Sequence, residues 1–259
     1  MRPKKSLGQN FLRDGSVIDR IVEALDISVG DTVIEIGPGR GALTEKLVST
    51  GSTVIAIEID RELVPVLRTQ FHFDANFRVI EADILEYDLG DLPEGLDPKK
   101  TKLVGNLPYY ISTPIIQRLI DHRSAFSQIV LMLQREVVER LTALPGASER
   151  GFITVMVEEA FYAKHLFDVD PRAFLPPPKV WSSVMSLTPK SSDVPDLKKF
   201  RRLVSTAFAQ KRKTILNNLR STVEDASGSL QRSGIDPIRR SETLTLDEWK
   251  KLAADISLR

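Results

Sequence analysis

The stretch Asp31-Thr32-Val33-Ile34-Glu35-Ile36-Gly37-Pro38-Gly39-Arg40-Gly41, followed by a helical pattern from Ala42 to Val48, decides the fold. A short β-branched run stopped by a glycine turn predicts a strand over residues 31–36, and the apolar spacing beyond it predicts a helix over 42–48. The same alternation extends outward, with strands over 53–59 and 77–80, the latter ending near Asp83, and a helix over 61–71 between them. Upstream, Val17, Ile18, Ile21, Val22 and Leu25 recur at helical spacing and predict an amphipathic helix over 15–26. Downstream come strands over 102–104 and 129–133 and helices over 114–121 and 135–144. Strands alternating with helices imply an α/β fold, a mostly parallel sheet with crossover helices on both faces.

Residues 151–160 fit neither period well, so helix and strand both stay open there. Strands over 163–169 and 180–187 flank the turn Pro176-Pro177-Pro178, which cannot be helical, so the sheet is expected to close in a hairpin-like pair. Past Pro189 the composition shifts: residues 190–195 read as a linker into an all-helical tail, and Thr245 with Glu248 three residues later has capping-box spacing. The expected organisation is a domain over 1–189, with its N-terminal arm, and a small helical domain over 190–259.

The chain has 259 residues, 42% hydrophobic and 27% charged, enough to bury a sizeable core. Its net charge of +1 conceals an asymmetry. From residue 190 onward there are 15 Lys or Arg against 9 Asp or Glu, and before it 21 against 26, so the tail is basic and the body acidic. Cysteine is absent, which excludes disulfides, thiolate metal sites and thiol nucleophiles. The three histidines, His72, His122 and His165, have no metal-ligand spacing, so no metal is expected. No apolar run approaches membrane-span length, and the basic start lacks the apolar stretch of a signal peptide, so a cytoplasmic protein without membrane contact is expected.

The glycine turn is the first functional signal, because glycine lets backbone approach a ligand closely and the helix after it offers free N–H groups. Gly37, Gly39 and Ala42 satisfy a dinucleotide-binding spacing with Glu58 at a suitable distance, so a nicotinamide dehydrogenase is open at this point. Glu58 and Asp83 both fall at the ligand-binding edge of the predicted sheet. Two carboxylates there suit a nucleoside, one accepting from ribose hydroxyls and the other from an exocyclic amine.

The strand over 102–104 runs into Asn106-Leu107-Pro108-Tyr109. An adenine amino group is a poor nucleophile because its lone pair is delocalised into the ring. The Asn106 amide oxygen and a backbone carbonyl from Leu107 or Pro108 could accept its two hydrogens and free that lone pair for an incoming methyl. Tyr109 can stack on the flipped base.

With these residues in view the chain resembles, over essentially its whole length, the ribosomal RNA adenine N6-dimethyltransferases, and within them the bacterial 16S enzymes of the KsgA type. The resemblance rests on the arm Ser6-Leu7-Gly8-Gln9-Asn10-Phe11-Leu12, the turn from Glu35 to Gly41, Glu58-Ile59-Asp60, Glu81-Ala82-Asp83, Asn106 to Tyr109, and Phe174-Leu175-Pro176-Pro177-Pro178-Lys179-Val180. It implies a Rossmann-like methyltransferase domain that uses S-adenosylmethionine as donor. Asn10 and Leu12 would close over the donor, Gly37 and Gly39 would lie by its methionine part, Glu58 on its ribose and Asp83 near its adenine amine. Asn106 would border both donor and target, with Phe174 as the second aromatic wall of the base pocket. Pro108 and Tyr109 complete the reactive set.

The resemblance further implies a substrate of two adjacent adenines in a loop near the 3′ end of 16S rRNA, within the small (30S) ribosomal subunit or its precursor; nothing in the sequence suggests more than a monomer. The basic clusters Lys198-Lys199, Arg201-Arg202, Lys211-Arg212-Lys213 and Arg239-Arg240, with Arg2, Lys4 and Lys5 of the arm, are candidates for phosphate contacts. The rival readings are a 23S rRNA adenine methyltransferase, which shares the cofactor motifs, and an assembly factor whose binding matters more than its catalysis.

Overall fold

The chain enters through a two-residue strand, β1 (Phe11–Leu12), and turns into helix α1 (Gly15–Ala24) at Asp14, whose carboxylate accepts from the Ser16 and Val17 amides at 2.9 and 3.3 Å. Strands and helices then alternate: β2 (Thr32–Ile36), α2 (Ala42–Val48), β3 (Thr53–Glu58), α3 (Leu63–Gln70), β4 (Phe77–Glu81), β5 (Thr101–Asn106), α4 (Ser112–Asp121), β6 (Gln128–Gln134) and α5 (Arg135–Leu141). Helix α6 (Phe152–Ala160) runs into β7 (Phe161–Val169), and the short β8 (Phe174–Leu175) precedes β9 (Ser182–Pro189). Helices α7 (Leu197–Ala207), α8 (Ile215–Leu219), α9 (Ala226–Arg232) and α10 (Leu246–Asp255) follow. This computed structural model describes Lys4 and residues 7–89, 95–108 and 111–259. Among them no helix is long and apolar enough to cross a membrane.

The residues fall into two compact units, one of residues up to Val138 with Tyr162–Pro189, the other of Glu139–Phe161 with Lys190–Arg259. The first holds a seven-stranded sheet in the order β4-β3-β2-β5-β6-β9-β7. Strands β2 to β6 are parallel, and β9 lies antiparallel to β6, between it and β7. Central strands are buried on both faces: Val33 and Ile34, which point in opposite directions, are each 0% exposed. One face carries Val33, Val54, Val104, Val130 and Val184 against α1 and α2. Buried Lys102 on this unit caps α1, donating to the carbonyls of Leu25 at 2.8 Å and of Asp26, with Asp31 Oδ2 at 3.3 Å.

Three features differ from the sequence expectation. The open segment 151–160 is a helix, α6. Its Val155, Met156, Val157 and Ala160 are all buried, so it is apolar nearly all round and has no polar stripe to reveal a helical period. It belongs to the second unit, so the helical unit holds residues 139–161 besides the expected 190–259. The arm, for which no element was expected, holds one: β1 pairs antiparallel with β8, Phe11 opposite Leu175 and Leu12 opposite Phe174.

In the second unit Phe200, Leu203, Val204, Ile215, Leu219, Leu230 and Trp249 are fully buried. The capping box is present: Thr245 Oγ1 accepts from the Glu248 amide at 3.2 Å, and Glu248 Oε2 accepts from the Thr245 amide at 2.8 Å.

Candidate functional site

A parallel sheet presents its ligands at the carboxyl ends of its strands, where the chain leaves each strand and turns toward a helix. In the first unit Gly37 follows β2, Glu58 ends β3, Asp83 follows β4 and Asn106 ends β5. These four line one cleft together with Asn10, Leu12, Gly39, Pro108 and Phe174. All the expected site residues meet there except Tyr109, which lies outside the described residues, as do Arg2 and Lys5 of the arm.

The glycine turn is shaped by its neighbours. Gly37, Gly39 and Gly41 all have positive φ, at 66°, 59° and 81°. A Cβ on Gly39 would meet Phe11 ring carbons at 3.0 and 3.1 Å, because the β1 phenyl ring lies against the turn, with the Arg40 guanidinium 4.7 Å from its centroid. At Gly37 a Cβ would meet nothing within 4 Å, leaving open space on the pocket side.

Glu58 is 4% exposed; its Oε2 accepts from the Gly39 amide at 3.1 Å and its Oε1 from the Asp60 amide at 2.8 Å. Burial pushes its carboxyl up, and these backbone donors partly oppose the shift. Asp60, just beyond, holds the arm. Its Oδ1 accepts from Lys4 Nζ at 2.7 Å and its Oδ2 from Gln9 Nε2 at 2.8 Å. Burial raises the Asp60 carboxyl, but the Lys4 and Gln9 bonds outweigh this and hold it below the usual carboxylate range.

Glu35 is buried at 2% exposure, accepts from Thr44 Oγ1 at 2.7 Å, and lines the same cleft. Burial, opposed by the Thr44 bond and aided by the charge of Glu58, pushes its carboxyl up to about 8, so at neutral pH it is mostly protonated. Asp83 Oδ1 accepts from the Leu85 amide at 2.8 Å, which fixes the carboxylate at the pocket rim.

At Asn106 the side-chain nitrogen donates to the Asn10 carbonyl at 3.1 Å, an orientation that leaves Oδ1 as the acceptor. The Pro108 carbonyl accepts from the Ile111 amide at 3.2 Å and from Ser112 Oγ at 3.4 Å. Both bonds belong to the turn into α4. Phe174 is 2% exposed and lines the same cleft.

Sequence reasoning missed Phe11, Glu35 and Asp60 as parts of the site. Glu35 carried a signal: an acid inside an otherwise apolar strand run that leads into the turn. Asp60 and Phe11 stand in the quoted motifs, but nothing local gave them a role, because their partners lie far away along the chain. The second unit changes the reading of the basic clusters. Arg239 pairs with Glu248 at 2.5 Å and donates to the Thr243 carbonyl at 2.7 Å, so it braces α10 rather than offering a charge to phosphate. Arg212 and Lys213 are exposed between α7 and α8.

Residues 1–257 match the sequence profile of the ribosomal RNA adenine dimethylases. The chain is 40% identical over 259 residues to ribosomal RNA small subunit methyltransferase A of Pseudomonas putida, covering 99% of this chain and 96% of that protein. To the protein of the same name from Geobacter metallireducens it is 42% identical over 261 residues, covering 98% and 95%. Among solved structures, a dimethyladenosine transferase from Plasmodium falciparum superposes with a TM-score of 0.76 at 28% identity, covering 93% of this chain and 95% of that one. The 23S rRNA methyltransferase ErmE superposes with a TM-score of 0.76 at 26% identity, covering 95% and 99%.

Proposed function

This chain belongs to the ribosomal RNA adenine dimethylase family, and we propose that its cleft transfers methyl groups to N6 of two adjacent adenines in the 3′-terminal hairpin loop of 16S rRNA. The protein is an S-adenosylmethionine-dependent rRNA adenine dimethyltransferase. The two superpositions score alike and do not separate 16S from 23S substrates. The near-full-length identity to proteins named for the small subunit favours 16S.

The cleft suits the donor: an open-sided glycine turn at Gly37, a buried carboxylate at Glu58 and a second at Asp83 match a methionine moiety, a ribose and an adenine amine in turn. When bound, S-adenosylmethionine supplies an electrophilic methyl on its sulfonium. The chain's own residues do the rest by positioning. Asn106 accepts one hydrogen of the target amine through Oδ1 and the backbone carbonyl of Leu107 or Pro108 accepts the other, which draws the nitrogen toward a tetrahedral shape with its lone pair exposed. Phe174 covers the base, with Tyr109 as its second wall. Alignment and polarisation carry such a transfer, and no strong base is required.

The observation that carries this reading is the Asn106 amide, held by the Asn10 carbonyl so that its oxygen is the group left to accept. The working context we propose is the small ribosomal subunit or its precursor, in the cytoplasm, with the protein acting as a monomer without a metal. The test is transfer of labelled methyl from S-adenosylmethionine to unmethylated small subunits, with the product nucleosides identified. N6,N6-dimethyladenosine confined to the 3′ loop of 16S rRNA is expected. Product in 23S rRNA alone would reassign the substrate, and tight subunit binding without transfer would make the protein an assembly factor.

A further inference from the structure

Directly after the buried Phe174 the chain surfaces: Leu175 is 48% exposed, Val180 43% and Trp181 45%, and Pro176, Pro177 and Lys179 are exposed as well. Seven residues, six of them apolar, thus run from the wall of the cleft to the start of β9, with one cation, Lys179, and no acid among them. Contiguous exposed apolar surface of this kind marks a binding face. Its position follows from the sheet register. Asn106, Met132 and Val184 stand in one row across β5, β6 and β9. Trp181 lies three residues beyond Val184 toward the edge at which Asn106 ends its strand, and its carbonyl accepts from the Arg135 amide at 3.0 Å. At the usual strand dimensions that is about 10 Å past the row and about 10 Å to its side, within a few nucleotides of the target base.

We propose that the tract from Leu175 to Trp181 seats the RNA strand flanking the methylated adenines, with the Trp181 indole stacked on an unpaired base and Lys179 beside the phosphates. The inference rests on the cleft being the methyl-transfer site and adds a substrate contact outside it. A rigid aromatic face next to a cation, continuous with a base-sized pocket, matches single-stranded nucleic acid, whose unpaired bases offer faces to stack on. A purely apolar partner would leave Lys179 uncompensated. A second copy of the chain would bring another Lys179 to the same face.

The test is the affinity of unmethylated small ribosomal subunits for the wild type, W181A and W181F, measured by filter retention and therefore readable whether or not methyl is transferred. W181A is expected to weaken binding about tenfold, the order of one lost base stack, with W181F recovering most of it. The affinity for S-adenosylmethionine, measured by calorimetry on the same proteins, is expected to stay within about twofold of the wild type. Equal subunit affinity for W181A and wild type overturns the proposal. So does an equal loss in W181A and W181F, which would show a packing role rather than a stacking one. A dimer in solution that W181A abolishes would assign the tract to a second copy. Failure of the wild type to methylate any rRNA would instead strike the reading of the cleft, and the retention assay keeps the two failures apart.

Discussion

Asn106 and Asn10 are 96 residues apart in sequence, yet the side-chain amide of the first donates to the backbone carbonyl of the second at 3.1 Å. The reactive motif and the N-terminal arm are thereby one device, and the direction of this bond sets which end of the amide faces the target. Asn106→Ala is expected to lower methyl transfer about 100-fold or more while donor binding stays within a few-fold, since an acceptor for the reacting amine is lost. Asn106→Asp, which sets oxygen against oxygen at Asn10, should weaken donor binding as well. Single-turnover rates and calorimetric titration of S-adenosylmethionine check both.

Asp60 anchors the same arm through Lys4 and Gln9. Asp60→Ala should raise KM for S-adenosylmethionine about tenfold, in line with the loss of hydrogen bonds to a charged group, and move kcat far less. The carboxyl is held below the usual range, so the anchor is intact at neutral pH and is lost only as pH falls through that lowered value. The loss of donor affinity caused by Asp60→Ala should therefore be the same size across neutral pH.

Gly39 and Gly37 share a positive φ but not a neighbourhood. Gly39→Ala adds a clash with the Phe11 ring to the backbone strain, whereas Gly37→Ala adds strain alone. Donor affinity should fall by a larger factor in the first variant than in the second, and equal losses would show that the ring yields freely.

Glu35 is mostly protonated in the folded protein at neutral pH and ionised in the unfolded chain. Its raised carboxyl removes stability as pH climbs from the ordinary carboxylate range to about 8, because across that window the folded state binds a proton that the unfolded state has released. Glu35→Gln should flatten the decline of Tm over this range, which a thermal-melt series between about pH 5 and pH 8.5 would show.

Lys211, Arg212 and Lys213 replaced together by Ala should weaken subunit binding and flatten its dependence on salt, since fewer counterions are released. Arg239→Ala should instead lower Tm, because its guanidinium braces Glu248 and the Thr243 carbonyl within the second unit. An unchanged salt slope in the triple variant would place the phosphate contacts elsewhere.

The parallel core was legible because strands such as β2 and β3 are buried on both faces and read as β-branched runs between turns. The cleft was legible wherever a motif sits at a strand end, as at Gly37, Glu58, Asp83 and Asn106. What was not legible depends on partners far apart in sequence. Two-residue strands such as β1 and β8 have no period to read, so the pairing of Phe11 with Leu175 leaves no local trace. Helix α6 is wrapped by protein and shows no polar face, which also hid its place among the helices of the second unit. Arg239 looks in sequence like any other basic residue of the tail, and only the position of Glu248 shows that its charge is spent internally.

The β1–β8 ladder gives the reaction a rhythm. Dimethylating one adenine consumes two donor molecules at a single base, so spent donor must leave and fresh donor must enter midway through the work. The arm residues that line the cleft are tied, pair by pair, to the segment that brings Phe174 into the same lining. A ladder of two residues opens at little cost. The same two pairs therefore couple the arm to the Phe174 segment, so that whatever displaces one displaces the other.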